Sequence, residues 1–481
     1  MEYEGVIGLE THVQLKTRSK MWCGCANEFG APPNTRVCPV CLGLPGVLPV
    51  ANDEALQLTV LTGLLLECEI PPAAQFDRKN YFYPDMPKNY QITQYASPST
   101  RSGHLDFEYD GALCRVRITR AHLEEDVGKS FHFAHHSGVD FNRAGVPLLE
   151  IVSEPDITSP GMAYAYLSAL KDLLVHAGIS DCDMEKGMVR CDVNVSVRPR
   201  STAALGAKIE IKNMNSFSGV RRALEFEIPR QIAILEAGGQ LVQETRRWDE
   251  PSGTTEPMRS KEDAHDYRYF PDPDLMVFQP GPAWLDAVRR RKVETPLARK
   301  RRFMADYQLP EADARTFVDD LPLGDYFAAL APQCPHPKTL ANWIINNLRA
   351  HLAQHASTLA DLKFPPDAWL ELVALIQSGR LSSRLAQEVF AEMAATGHRP
   401  AAIVARRGLD QLSDAAALER LCEEAIAANP RSVADYRAGK AAALNFLKGQ
   451  VMKLSKGKAN PALVGEILAR RASDQTKSPG P

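Results

Sequence analysis

The segment from Met188 to Arg198 alternates between apolar and polar side chains, and it constrains the fold more than any other stretch of the chain. A period of two residues is typical of a β-strand that buries one face and leaves the other open. The open face carries Arg190, Asp192, Asn194, Ser196 and Arg198. The pattern returns around Glu210, and the two segments can pair as antiparallel neighbours across a short loop.

The segment from Val6 to Leu15 repeats the alternation near the start of the chain. Side chains two residues apart share one face of a strand, so Glu10, His12 and Gln14 point the same way. A carboxylate beside an imidazole is a common beginning of a divalent-metal site. An exposed sheet edge with solvated polar residues would give the same local pattern. The recurrence of acids on several strands favours one shared acidic floor, that is, a single face of the sheet to which each of these strands contributes an acid.

Two further segments supply acids that fit such a floor. Residues 124–126 are three consecutive acids, Glu124, Glu125 and Asp126, at the end of an alternating strand. Adjacent acids repel one another unless solvent or a cation neutralises them, so they are either a solvated surface or a ligand turn. Glu150 lies inside an apolar segment, where a buried carboxylate needs an ion pair or a bound cation.

Four of the ten cysteines lie close together in the sequence and predict a zinc site. Cys23 and Cys25 form a CxC pair, and Cys38 and Cys41 form a CxxC pair. This spacing matches a closed, tetrahedral and therefore structural Cys₄ zinc site. A reduced loop without metal is the alternative. The other six cysteines are scattered and are expected in hydrophobic cores.

Aromatic and cationic residues alternate with prolines in two segments, 76–92 and 266–275. The first contains Lys79, Tyr81, Tyr83 and Lys88, and its two prolines exclude a regular helix. Such a segment suits a stacked base, a phosphate or an acidic substrate, although a loop packed over the sheet would look similar.

The chain changes to helical periodicity from Trp284, and its end is basic. No acid occurs from Arg437 to Lys458. This stretch is either a solvated face or a surface that contacts a phosphate backbone. The cations proposed to contact nucleic acid are Arg437, Lys440, Lys453, Lys456 and Lys458.

Composition excludes several classes of protein. The net charge of −3 gives no overall excess of positive charge for nucleic acid, so any such contact must be local. We find no apolar run long enough to cross a membrane and no signal peptide, so a cytoplasmic location is expected. A GxxxxGK[ST] phosphate loop and an amidase signature are also absent from the sequence.

Several long motifs lie in matching order along nearly the whole chain, at residues 8–13, 79–85, 145–150, 266–271, 435–440 and 456–461. Together they resemble the B subunit of the tRNA-dependent amidotransferase, the GatB family. The resemblance implies an ATP-dependent ligase that forms a carbon–nitrogen bond with glutamine as amido donor. It would convert Glu-tRNA(Gln) or Asp-tRNA(Asn) to Gln-tRNA(Gln) or Asn-tRNA(Asn) through an acyl phosphate on the side-chain carboxylate.

The family pattern also implies roles for individual residues. His12, Glu125 and Glu150 would hold one Mg²⁺, while Glu10, Glu125, Asp192 and Glu210 would hold or approach a second. Glu10, Glu125, Lys79 and Lys88 would be catalytic, with the lysines where ammonia arrives or the acyl phosphate forms. Tyr81 and Tyr83 would contact the substrate. Cys23, Cys25, Cys38 and Cys41 would hold zinc, since this chain keeps all four cysteines.

The resemblance implies partners and an architecture as well. Ammonia would come from a glutaminase of the amidase fold (the A subunit), and a small third protein (the C subunit) would complete a heterotrimer. We expect an α+β fold with a catalytic cradle around an antiparallel sheet (1–292, zinc knuckle 23–41), an all-α helical domain (293–405) and a helical, tRNA-binding tail (406–475). The rival interpretation is a non-catalytic tRNA-binding subunit whose acids only position the substrate end.

Overall fold

The computed structural model describes residues 2–258, 267–409, 415–455 and 459–474. The chain divides once, into the compact units Met1–Ala298 and Arg299–Pro481. The predicted α+β fold with helical C-terminal parts is confirmed, because the first unit is built on sheets and the second on helices. The finer division at residues 292 and 405 stays a prediction. No helix in the described ranges is both long and apolar enough to cross a membrane.

The first unit contains all the strands that the structure describes. They are β1 (Tyr3–Gln14), β2 (Asp77–Asn80), β3 (Tyr90–Thr93), β4 (Thr100–Tyr109), β5 (Ala112–Glu125), β6 (Lys129–His132), β7 (Ser137–Asp140), β8 (Pro147–Ser153), β9 (Val189–Pro199), β10 (Ile209–Met214), β11 (Glu244–Asp249), β12 (Thr254–Pro257) and β13 (Phe270–Pro271). Eight of them form one sheet in the order β12-β11-β10-β9-β1-β8-β5-β4. A small sheet of order β13-β2-β3 and the hairpin β6-β7 complete the set.

The large sheet is mixed rather than purely antiparallel, which corrects the expectation. β10 and β9 pair antiparallel as predicted, but β10 and β11 run parallel, with Ile209 opposite Glu244. The connection between β10 and β11 contains a long helix, as parallel neighbours require a crossover. β1 lies in the middle of the sheet, paired with β8 on one side and β9 on the other.

Four helices of this unit are α1 (Asp53–Leu65), α2 (Pro160–His176), α3 (Phe217–Glu236) and α4 (Pro282–Arg289). α1 begins as predicted, because the Asn52 side chain accepts hydrogen bonds from the backbone N–H groups of Glu54 and Ala55. Apolar residues of α1, α2 and α3 form one core with Ile7, Leu9 and other inward side chains of the sheet. The opposite face of β1, which carries Glu10 and His12, therefore lies outside this core.

The second unit is helical. Its helices are α5 (Pro296–Tyr307), α6 (Glu311–Asp319), α7 (Leu321–Leu330), α8 (Pro337–Trp343), α9 (Arg349–Gln354), α10 (Ala368–Gln377), α11 (Ser383–Thr396), α12 (Pro400–Arg407), α13 (Ala415–Ala428), α14 (Pro430–Arg437), α15 (Ala442–Leu454) and α16 (Pro461–Asp474). A π-helical segment, Ile344–Leu348, joins α8 to α9. The unit has one core around Phe327 and Trp369 and another around Leu447 and Val464.

Candidate active site

The strand register brings an imidazole and a carboxylate from neighbouring strands together on the open face of the sheet. His12 of β1 lies directly opposite Glu150 of β8, and Glu150 lies directly opposite His122 of β5. Residues opposite one another in a ladder share a face, so the three side chains form a row across three strands. Glu124, two residues after His122, lies on the same face.

His12, Glu124 and Glu150 form a compact group of ligating atoms. One atom from each residue lies within 4.8 Å of the other two. The His12 Nε2 atom is 3.7 Å from Glu124 Oε1 and 3.7 Å from Glu150 Oε2. The Nε2 atom of His122 is 3.3 Å from Glu150 Oε2. Two carboxylates and one imidazole at this separation can bind a divalent cation.

The two carboxyl groups of this group, those of Glu124 and Glu150, have pKa values shifted in opposite directions, because both compete for the positive charge of the nearby histidines. Burial, followed by the charge of Glu150, raises the pKa of Glu124. Burial also raises the pKa of Glu150, but His122 and His12 outweigh it and hold that pKa well below its usual range. For His12, burial lowers the pKa, but Glu150, Glu124 and Asp192 outweigh it and raise the pKa to about 9. A bound cation would relieve this competition, because it favours the ionised form of both carboxyl groups.

Glu125, an expected ligand, lies outside this compact group of ligating atoms. Its carboxylate accepts hydrogen bonds from the Lys88 ammonium at 2.5 Å and from the Ile92 backbone N–H at 2.9 Å. The reason is a β-bulge in β5 between Ile118 and Arg120. A bulge inserts one residue and reverses which side chains face the core, so Glu124 takes the open face and Glu125 the opposite one.

The other predicted acids share the open face but do not form a second compact group. Within the ranges that the structure describes, only the His12 group and the four cysteines bring three or more ligating atoms within 4.8 Å. The Lys212 ammonium lies between Asp192 (2.8 Å) and Glu210 (2.9 Å). Glu10 accepts a hydrogen bond from the Asn194 amide at 2.8 Å. A lysine thus lies where a second cation was expected.

An aromatic row borders the acidic group. Lys79 of β2 lies over the ring of Tyr267, with its ammonium 5.0 Å from the centroid. Burial lowers the pKa of Lys79, but Glu124 and other neighbours outweigh it and raise that pKa above its usual value. The rings of Tyr81 and Tyr267 meet edge to face at 6.1 Å, whereas Tyr83 is largely exposed. Of the two predicted substrate tyrosines, the structure therefore places Tyr81 beside the site.

Sequence reasoning assigned no role to His122 or Lys212 and did not place Glu124 among the expected ligands. Alternation along β5 marked His122 and Glu124 as neighbours on one face, but which face they occupy depends on the bulge. The alternation around Glu210 put Lys212 on the polar face, and only the register of β9 and β10 shows that it lies between two carboxylates.

The four cysteines gather as the spacing predicts. The Sγ atoms of Cys23, Cys25, Cys38 and Cys41 all lie within 4.8 Å of one another. The Sγ atoms of Cys38 and Cys41 are 3.9 Å apart, close to the roughly 3.8 Å between sulfurs around a tetrahedral zinc with 2.3 Å bonds. A hydrogen bond from the Cys23 thiol, with further help from the Cys38 N–H and Lys20, lowers the pKa of Cys41 to about 4 despite burial. The donor set fits zinc, because thiolates are its preferred ligands.

The predicted nucleic-acid contacts lie in the second unit. Arg437, Lys440 and Lys453 are exposed, although Lys440 pairs with Asp435 and Arg437 donates to the Ala472 carbonyl. Lys456 and Lys458 lie outside the described residues, as does Asp266 of the second aromatic segment. The exposed cations are compatible with a phosphate contact.

Together, a mixed sheet with a carboxylate–imidazole centre, a four-cysteine cluster and helical C-terminal parts define the class: a catalytic α+β domain followed by helical domains. The GatB/GatE catalytic domain model matches residues 5–286, and the GatB domain model matches residues 325–471. The chain belongs to the GatB family of amidotransferase B subunits.

Relatives agree over nearly the whole length. The chain is similar to the B subunit of the aspartyl/glutamyl-tRNA(Asn/Gln) amidotransferase of Methylacidiphilum infernorum, with 51% identity over 98% of this chain and 99% of that protein. It is 50% identical to the protein of the same description from Moorella thermoacetica, over 98% of this chain and 100% of that protein. The same description belongs to a relative from Caldanaerobacter subterraneus, 48% identical over 98% of this chain and 100% of that protein.

Proposed function

We propose that this chain activates and amidates the side-chain carboxylate of Glu-tRNA(Gln) or Asp-tRNA(Asn) in an ATP-dependent amidotransferase of the cytoplasm. The observation that carries the proposal is the His12, Glu124 and Glu150 group on the open face of the sheet. Membership of the family supports the proposal, because the relatives described above are named as B subunits of the aspartyl/glutamyl-tRNA(Asn/Gln) amidotransferase.

The reaction has two steps. In the first, a carboxylate oxygen of the aminoacyl group attacks the γ-phosphorus of ATP, the bond to the bridging oxygen breaks, and ADP leaves. In the second, ammonia attacks the acyl carbon, the carbon–oxygen bond breaks, and phosphate leaves with one proton from the ammonia. Both steps bring negative charges together, so the site must supply positive charge.

The donor set fits Mg²⁺, since two of its three ligands are carboxylates and the group lies in a partly open face. His12, Glu124 and Glu150 would hold the ion, which would supply Lewis-acid charge for the triphosphate and the attacking carboxylate. Lys79, held beside these acids, would add a fixed cation near the acyl phosphate. Glu10, Asp192 and Glu210 would position the aminoacyl end together with Lys212, rather than complete a second compact ligand group.

Lys88 and Glu125 form a buried pair on the opposite face of β5 from the group, and we propose that they face the route by which ammonia arrives. The ammonia would come from a glutaminase partner of the amidase fold, with a small third protein in the complex. Tyr81 and Tyr83 would contact the substrate end. The basic surface of the second unit, including Arg437, Lys440 and Lys453, would contact the tRNA backbone, with zinc in the four-cysteine cluster as a structural ion.

The test is amide formation by the purified chain, alone and with its partners, on both misacylated tRNAs, with glutamine or ammonium as donor. The complex is expected to use either donor, whereas the chain alone should fail with glutamine. Success of the chain alone with glutamine would contradict this division of labour.

Glu10→Ala and Asp192→Ala distinguish catalysis from the rival, a protein that only binds tRNA. Unchanged tRNA affinity with lost amide formation supports a catalytic site on this chain. Unchanged amide formation in both variants would favour the rival.

A further inference from the structure

An arginine on the open face of the sheet lies next to the His12 group. Arg190 of β9 is directly opposite His12 of β1, so the two side chains belong to the same face. Asp126 outweighs burial in raising the pKa of Arg190, and Glu124 and Asp192 add to that effect, so the guanidinium keeps its charge. The two reaction steps leave this cation without a role.

The buried carboxylate of Asp126 fixes the position of this guanidinium. It accepts a hydrogen bond from Nη2 of Arg190 at 2.7 Å and another from the Gln14 amide at 2.9 Å. The Nε atom of Arg143 lies 3.6 Å from the same carboxylate. One carboxylate thus serves two guanidinium groups, so these three charged side chains together carry one net positive charge.

Arg190 has donors to spare for a ligand. In the part of the chain that the structure describes, Nη2 is the one nitrogen of this guanidinium that donates a hydrogen bond. The Nε atom is buried without a partner, which is costly in a folded protein. The side chain as a whole is 41% exposed, so a ligand can reach the remaining nitrogen, Nη1. A guanidinium with a fixed orientation and open donors suits a planar anion.

A cavity of about 700 Å³ lies beside this cluster of charges. Its lining includes Gln14 and Arg143, which share the Asp126 carboxylate with Arg190. Gln14 also shares the strand face of His12, two residues away. The cavity therefore gives the end of a substrate room to approach the guanidinium.

From this arrangement we infer that Arg190, oriented by Asp126, binds the side-chain carboxylate of the aminoacyl group and so distinguishes the acid substrate from the amide product. The inference rests on the proposed function, because it concerns the substrate of that reaction. One net positive charge matches a carboxylate better than a triphosphate. Since Arg190 lies opposite His12, a carboxylate bound there stays beside the group proposed to hold Mg²⁺. The product amide is neutral, so the ion pair is lost when the amide forms.

The experiment measures the affinity of the assembled complex, without ATP, for tRNA(Gln) that carries either glutamate or glutamine through a stable amide linkage to its terminal ribose. The unsubstituted complex should bind the glutamate form at least about tenfold more tightly, as expected for a charge-assisted hydrogen bond. Arg190→Gln should weaken the glutamate form by that factor and leave the glutamine form unchanged, so the preference disappears. Arg190→Lys keeps the charge but loses the planar fork, so part of the preference should remain.

Arg198→Gln is the matched control for general damage. Arg198 lies on the same face of β9 as Arg190, but it pairs with Glu4 at 2.7 Å. Its substitution should leave the preference for the glutamate form unchanged. Thermal unfolding of each variant separates loss of the fold from loss of the ion pair. Calorimetric titration with inorganic tripolyphosphate tests whether the guanidinium binds phosphate instead.

Equal affinity of the unsubstituted complex for the two forms, or a full preference in Arg190→Gln, would overturn the inference. Weaker binding of tripolyphosphate by Arg190→Gln with an unchanged preference would overturn it too, and would assign the guanidinium to a phosphate. Failure of the proposed function is a different result, because the unsubstituted complex would then form no amide from the misacylated tRNAs with ATP and ammonium.

Discussion

Adjacent residues Glu124 and Glu125 should respond in opposite ways to the same substitution. Glu124→Gln removes a charge from the proposed cation group but keeps the size of the side chain and its one weak contact, 3.5 Å from Thr93 Oγ1. Because burial already raises the pKa of Glu124, losing its charge should change the free energy of unfolding by no more than about 1 kcal/mol. Affinity for a divalent cation should fall at least about 100-fold, since even partners of metal ligands contribute about 10–100-fold.

Glu125→Gln should lower the free energy of unfolding but leave the affinity for a divalent cation nearly unchanged. Its carboxylate is 3% exposed and pairs at 2.5 Å with Lys88, which is 11% exposed. Removing one partner of such a pair leaves a buried charge uncompensated and should cost about 3–5 kcal/mol of unfolding free energy. For a domain of this size, that lowers the melting temperature on the order of 10 °C. Affinity for the divalent cation should stay within a few-fold, because Glu125 lies on the other face of β5.

Mn²⁺ binding followed by electron paramagnetic resonance, together with calorimetric unfolding in the presence of a chelator, measures both quantities on each variant. If Glu125→Gln lowered the affinity for the cation as much as Glu124→Gln does, the separation of the two roles would be refuted. A melting temperature of Glu124→Gln as low as that of Glu125→Gln would refute it equally, because the two side chains would then share one role.

Three further outcomes follow from the same geometry. Cys41→Ser should reduce the zinc content from about one ion per chain to near zero and lower the melting temperature. Elemental analysis measures the zinc, and finding none in the unsubstituted protein would exclude the site. The pKa of His12 is raised from 6.5 to about 9 in the folded, metal-free protein. The charge on His12 therefore stabilises the folded state fully below pH 6.5, and this stabilisation is lost as the pH rises through about 9. Denaturant unfolding in a chelator from pH 6 to 10 should show this loss in the parent but not in His12→Gln, and parallel curves would contradict it. Glu227→Ala should destabilise by about 3–5 kcal/mol, because this fully buried carboxylate binds Arg230, Gln231 and Thr255. Arg221→Ala, at an exposed ion pair, should lower the melting temperature far less, and equal melting temperatures of the two variants would show that the buried network is dispensable.

Local patterns predicted much of the fold because they need only neighbouring residues. The alternation along β1 and β9 predicts which of their side chains face the core, and Asn52 predicts the start of α1. The cysteine spacing likewise predicts a cluster that the structure assembles. These features follow from the period of a strand, the capping of a helix and the reach of a short loop.

Non-local register decided what the sequence could not predict. Counting inward positions from Val116 and Ile118 puts Glu125 on the open face of β5, and the bulge before Arg120 reverses that assignment. An extra residue in one strand is set by its pairing with β8, which no local pattern records. The parallel pairing of β10 with β11 and the position of Lys212 between two carboxylates depend on register in the same way.

The central claim is that the group on the open face of the sheet activates the carboxylate of the aminoacyl end as an acyl phosphate. The direct measurement uses Glu-tRNA(Gln) labelled with ¹⁸O in the side-chain carboxylate, ATP, ammonium and the assembled complex. We expect one labelled oxygen in the released phosphate, and neither labelled phosphate nor amide with Glu150→Gln. Amide formation that releases only unlabelled phosphate, or full activity in Glu150→Gln, would contradict it.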